Sequence, residues 1–115
     1  MGIKAKMKVL EKYRNAVDEF VRRVLEKYGD EIDKIILFGS VARGDARADS
    51  DIDILVIGDV SLEKLVDTSF PMLLKYGEFI SVKDMKKDHF DFLVRERYSF
   101  INNVLGEGEV LYERM

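Results

Sequence analysis

The sequence predicts an α/β (α+β) domain: a small mixed β-sheet backed by helices, in the order α-β-α-β-α-β-α, with a short strand able to follow at the C-terminus. Three observations carry this prediction. Apolar residues recur at three- and four-residue steps near both ends of the chain, which marks amphipathic helices. Between them lie short apolar runs closed by glycine and aspartate, which suit strands. Only a short loop separates the first two runs, whereas a helix-length stretch separates the second from the third, so the sheet must mix antiparallel and parallel pairing.

Lys4 to Tyr28 reads as the first helix, with Leu10, Tyr13, Val17, Phe20, Val21, Val24, Leu25 and Tyr28 on one face and Gly29-Asp30 as its stop. Lys4, Lys6, Lys8 and Lys12 form a charged face that reads as solvated rather than as a nucleic-acid contact. Lys34 to Phe38 follows as a central strand, since Ile35-Ile36-Leu37-Phe38 is apolar on both of its faces. A turn of helix over Ser40 to Gly44 and a loop through Ala48 lead to a second strand, Asp51 to Ile57, stopped by Gly58-Asp59.

Ser61 is placed to cap the next helix, which carries Leu62, Leu65, Val66, Phe70, Leu73 and Leu74 as its apolar stripe. Pro71 inside it predicts a kink or a restart near Ser69. Gly77 leads into a third strand, Glu78 to Val82, and the helical crossover implies that it lies parallel to the second. A last helix runs from about Asp88 to Leu105 with Gly106 as its stop, and Val110-Leu111-Tyr112 can close the chain as a strand. Its aromatics Phe90, Phe92, Tyr98 and Phe100 exceed what one stripe buries; they are expected mainly in the core, with Phe92 and Phe100 the first candidates for an interface.

With 115 residues and 47% hydrophobic content, residues 1–115 read as one domain burying roughly two thirds of its unfolded surface. A net charge of -3 argues against direct nucleic-acid binding. The absence of cysteine excludes disulfides and thiolate metal sites, and no apolar run is long enough for a membrane span or a secretory signal. A cytoplasmic protein is the expectation.

The chemistry concentrates in Phe38 to Asp53. Strand alternation sets Asp51 and Asp53 on one face with Ile52 and Ile54 on the other. Adjacent carboxylates repel unless a cation lies between them, and Mg²⁺ suits such a pair because it takes oxygen ligands from one or two carboxylates, waters and phosphates. Gly39 and Ser40 supply a place where backbone N–H groups approach a phosphate closely. Two other motifs fail. Gly39 to Gly44 has P-loop glycine spacing, but Asp45-Ala46 follows where lysine and Ser/Thr are required, and Ile54 stands where an EF-hand loop begun by Asp49, Asp51 and Asp53 needs glycine.

Gly39-Ser40, ten intervening residues, then Asp51-Ile52-Asp53, within the runs Phe38 to Gly44 and Ser50 to Val56, resembles the DNA polymerase beta-like nucleotidyltransferase superfamily and its minimal nucleotidyltransferase (MNT) branch. The resemblance implies attack of a hydroxyl on the α-phosphorus of a nucleoside triphosphate, with AMP from ATP the expected transferred group. It implies Asp51 and Asp53 as catalytic carboxylates and Mg²⁺ ligands, with Gly39 and Ser40 holding the β- and γ-phosphates. Arg43 is a further candidate phosphate contact by its guanidinium chemistry, or else a surface charge paired with Asp45 or Asp49.

Competent members of that superfamily usually carry a third carboxylate on a neighbouring strand. Alternation in the third strand places Phe79, Ser81 and Lys83 on the site face and Ile80 and Val82 on the core face, so Ser81 occupies that position. Glu78 has the wrong parity without a bulge, and Asp84 is expected past the strand's end. His89 is expected at the surface.

The resemblance also implies an acceptor from elsewhere, because larger relatives grip theirs with an additional domain. Minimal relatives pair with a small helical HEPN-type protein as antitoxin and toxin, so the partner is expected to receive AMP. The alternative is a catalytically weak or inactive nucleotide-binding antitoxin that acts by binding alone. A subunit modifying RNA or a small molecule is a third reading, and a homodimer is an alternative to a complex with another chain.

Overall fold

The structure, a computed structural model, describes residues 2–47 and 50–115, with side chains from Tyr13 onward. Ala48 and Asp49 and the side chains of Lys4, Lys6, Lys8, Leu10 and Lys12 therefore lie outside the described residues. Helix α1 spans Gly2–Tyr28, and a short 3-10 turn, Gly29–Glu31, delivers the chain to β1, Ile32–Phe38. Then come α2, Gly39–Arg43, and β2, Ile52–Gly58. Helix α3, Leu62–Tyr76, crosses to β3, Ile80–Met85, and α4, Lys87–Arg95, α5, Ser99–Glu107, and β4, Glu109–Glu113, complete the chain.

The four strands form one sheet in the order β3-β2-β1-β4. β1 pairs antiparallel with β2 and β4, and β2 pairs parallel with β3 across α3, as the connection lengths predict. Each face of the sheet has its own core. Ile35, Leu37, Ile52, Ile54 and Val56 pack with Val17, Phe20 and Val24 of α1 and Leu65 and Met72 of α3. Ile36, Phe38, Leu55 and Ile57 turn the other way, against Phe90 of α4 and Ile101 and Val104 of α5. Burial on both faces explains why β1 and β2 read as continuous apolar runs.

Three expectations are corrected. The helix expected over 88–105 is two helices, because Arg97 adopts a left-handed conformation (φ 56°) and closes α4 with a Schellman pair of bonds, Arg97 N–H to Val94 C=O at 3.2 Å and Tyr98 N–H to Leu93 C=O at 3.1 Å. Gly106 consequently lies inside α5, and the stop falls at Gly108, which has no room for a side chain between Ile36 and the Leu37 carbonyl, each 2.9 Å from where a Cβ would stand. Pro71 does not restart α3, which runs unbroken from Leu62 to Tyr76.

The buried stripe of α3 is also not the expected one. Leu65, Thr68, Ser69 and Met72 face inward, while Leu62, Val66, Phe70 and Leu74 are exposed. Thr68 and Ser69 tolerate burial because their hydroxyls donate to carbonyls within the helix, to Lys64 at 3.1 Å and Val66 at 3.2 Å, leaving no orphaned polar group. Ser61 does cap α3, its Oγ accepting from the Lys64 N–H at 3.3 Å. The aromatics of α4 and α5 divide similarly: Phe90 is buried, but Phe92, Tyr98 and Phe100 are exposed rather than mainly core.

Candidate active site

At the end of β1 the chain must turn sharply from strand to helix, and Gly39 makes that turn with φ +79°. Phe38 lies opposite Asp53 in the antiparallel register, so the turn is set directly beside the Asp53 side chain. A Cβ at Gly39 would collide with Asp53 Oδ2 and stand only 3.0 Å from its Cγ. The carboxylate thus lies over bare backbone, a contact that only glycine allows. The requirement for glycine is twofold, steric and conformational.

Asp51 precedes β2 and is exposed; Asp53, two residues on, is half-buried. Burial is the main force pushing the Asp53 carboxyl above its ordinary value; the Lys83 charge opposes it, the Asp51 charge adds to it, and Arg43 opposes it. The two aspartates are therefore close enough to feel one another. No hydrogen bond or ion pair from another described residue reaches the Asp53 carboxylate.

The parallel register sets Ser81 directly beside Asp53 on β3, and Lys83 beside Leu55 two residues along the same face. Asp84 lies within β3, not beyond it, because the strand extends to Met85; it is aligned with Val56 and so belongs to the opposite face. Glu78 falls before the strand and shares parity with buried Ile80. Neither joins the Asp51 and Asp53 pair in this register. His89 is exposed on α4.

Arg43 is engaged at the rim. Its Nε lies 3.3 Å from Asp45 Oδ2 and its guanidinium reaches Glu107 Oε2 of α5 at 3.0 Å, and the Glu107 and Asp45 bonds raise its pKa. The pairing with Asp45 is one that the sequence suggested; Glu107, 64 residues away, is not. Between α2 and α5 a cavity of about 220 Å³ opens beside Gly39, walled by Phe38, Phe100, Asn103 and Val104 and rimmed by the Arg43 and Glu107 pair. Tyr13 is a further residue that the sequence assigned only to the core: its hydroxyl donates to the Arg47 carbonyl at 2.8 Å and ties α1 to the loop before Asp51.

Among the described residues no three His, Cys, Asp or Glu side chains gather as a metal centre. Two neighbouring carboxylates with a serine hydroxyl beside them and open backbone at Gly39 nonetheless fit Mg²⁺, which characteristically keeps water and phosphate ligands beyond one or two carboxylates.

Residues 17–111 match the family model described as the nucleotidyltransferase domain. The chain belongs to that family. Among its relatives, "Putative protein adenylyltransferase MJ0604" of Methanocaldococcus jannaschii is 46% identical over 97 residues, covering 84% of this chain and 95% of the relative. A second protein of that organism, "Putative protein adenylyltransferase MJ1305", is 30% identical over 87% of this chain and 71% of its own. A chain of a toxin-antitoxin complex solved with AMP-PNP superposes with a TM-score of 0.57 at 19% identity, covering 84% of this chain and 73% of that one. A mutant of the toxin-antitoxin pair MntA-HpeT gives 0.55 at 18% identity, covering 83% and 71%. The fold is thus the nucleotidyltransferase fold, and the stretch from Gly39 to Asp53 lies inside the matched region.

Proposed function

We propose that this nucleotidyltransferase transfers AMP from ATP, with Mg²⁺, to a hydroxyl on a partner protein, the partner being a small helical protein of HEPN type and the pair an antitoxin with its toxin. The observation that carries the reading is the Asp53 carboxylate seated over the bare backbone of Gly39 with Asp51 beside it. The two aspartates would hold Mg²⁺, which when bound neutralises triphosphate charge and stabilises the entering and leaving oxygens. Gly39 and Ser40 would seat the β- and γ-phosphates. Arg43 would exchange Asp45 and Glu107 for phosphate oxygens, which suit its guanidinium equally well. The acceptor oxygen forms a bond to the α-phosphorus, the bond from that phosphorus to the bridging oxygen of pyrophosphate breaks, and pyrophosphate leaves.

The acceptor's proton is the costly step. Ser81, beside Asp53, cannot accept it at neutral pH, so the proton passes to water. That feature favours a second reading, a nucleotide-binding antitoxin that neutralises its partner by binding alone. Calorimetric titration of ATP and Mg²⁺ into the protein tests the site that both readings share. Binding is expected to be Mg²⁺-dependent and lost in the Asp51→Asn, Asp53→Asn double variant. Incubation with labelled ATP and a candidate HEPN-type partner then separates them: label on the partner supports transfer, an unlabelled but inhibited partner supports binding alone, and label confined to added RNA refutes both.

A further inference from the structure

The cavity between α2 and α5 has a use that the Gly39 to Asp53 motif does not supply. Phe38 lines it and is the register partner of Asp53, so the cavity and the Asp53 carboxylate adjoin on one face of the sheet. Gly39 lines the cavity on one side and carries the Asp53 carboxylate on the other. The Phe100 ring stands edge-on to Phe38, with centroids 5.8 Å apart at 89°, and remains 41% exposed. Asn103 follows three residues later on α5, on the same side of the helix and exposed. Buried Val104 forms the inner wall.

A partly uncovered aromatic ring recognises a flat π-system, and an amide recognises a ring edge bearing a donor next to an acceptor. At about 220 Å³ the cavity suits one ring system rather than an extended ligand. Its place beside the candidate phosphate site selects which ring system that is. A triphosphate chelated by a cation folds back on itself, so a base can lie close to its own phosphates. We propose that the cavity receives the nucleobase of the triphosphate, Phe100 stacking on the ring and Asn103 pairing with its edge, and that this pairing prefers adenine, whose N6 donor and N7 acceptor match an amide in both positions. This rests on the reading of Gly39 to Asp53 as a nucleotide site and adds the determinant of base choice.

The test is calorimetry on the full 115-residue chain with Mg²⁺ and, in separate titrations, ATP, GTP, CTP and inorganic tripolyphosphate. Tripolyphosphate reports on the phosphate half alone. ATP is expected to bind more tightly than tripolyphosphate and than the other nucleotides. Phe100→Ala is expected to cost ATP about tenfold in affinity. Because Phe100 also packs on Phe38, Asn103→Leu is the decisive variant should that protein melt early: it is expected to erase the preference for ATP over GTP. Native protein that binds ATP and tripolyphosphate equally overturns the base cavity while leaving the phosphate site standing. So does an Asn103→Leu variant that keeps its base preference. Native protein that binds neither ligand overturns the nucleotide reading and the cavity with it.

Discussion

Glu19 on α1 accepts from Lys75 Nζ at 2.8 Å and from the Tyr76 hydroxyl, and its second oxygen pairs with Arg23, one turn along the same helix. Asp53 on β2 has a more open position, yet no described side chain bonds to it. Their acidities diverge accordingly. The Lys75 bond, then the Tyr76 bond, hold Glu19 at about 2, whereas burial pushes Asp53 upward. The first carboxylate is paired within the fold and joins α1 to α3; the second has no side-chain partner among the described residues. If Asp53 serves the proposed site, stability and function are carried by two different carboxylates, and each can be tested by itself.

The largest effect is expected where the open carboxylate meets the chain. Gly39→Ala forces a methyl group against Asp53 and a left-handed conformation on alanine, and displacement of about 1 Å at such a site is enough to lower transfer by roughly a hundredfold. Steady-state transfer assays read this directly; a variant with native turnover would show that the Asp53 contact is not part of the site. Ser81→Asp sharpens the same side by adding a proton acceptor, and should raise the transfer rate by about tenfold to a hundredfold. An unchanged rate would mean that proton removal does not limit turnover.

The paired carboxylate is tested by stability. Glu19→Gln strips the charge that Lys75 and Arg23 face and should lower Tm by several degrees while leaving Mg²⁺-ATP affinity unchanged below the transition. The pH dependence follows in sign. A carboxyl held at about 2, below its ordinary 4.5, contributes stability that is present above pH 4.5 and lost as the pH falls towards 2. Acid unfolding should therefore be shallower in Glu19→Gln across that window. Asp53 works oppositely: its raised pKa favours the protonated fold, so Asp53→Asn should melt higher than the parent at neutral pH in the absence of metal. The smallest effect belongs to Tyr13→Phe, which removes the bond to the Arg47 carbonyl, costs about 1 kcal/mol in denaturant unfolding and weakens Mg²⁺-ATP binding a few-fold by loosening the loop before Asp51.

Local chemistry made much of this legible in advance. The first helix, the two apolar strands, their pairing directions, the Ser61 cap and the alternation that sets Ser81 beside Asp53 all depend on neighbours in sequence, and each stands where sequence reasoning placed it. The shared face of residues 51 and 53 and the freedom of backbone at Gly39 are local in the same way, since alternation fixes the first and the missing side chain the second.

Tertiary structure alone decided the rest. The break at Arg97 uses a residue with no intrinsic preference for a left-handed conformation, so no glycine announced it. Which face of α3 turns inward was undecidable from a helix with apolar residues on two sides, and Thr68 and Ser69 could enter the core because the helix itself satisfied their hydroxyls. Two of the three partners of Glu19, Lys75 and Tyr76, lie 56 and 57 residues away, and Glu107 lies 64 residues from Arg43. Phe100 and Asn103 come beside Gly39 only because α5 packs on the Phe38 face of the sheet. Sequence patterns encode the period of an element and the chemistry of its turns; which surfaces then meet is set by packing the whole chain.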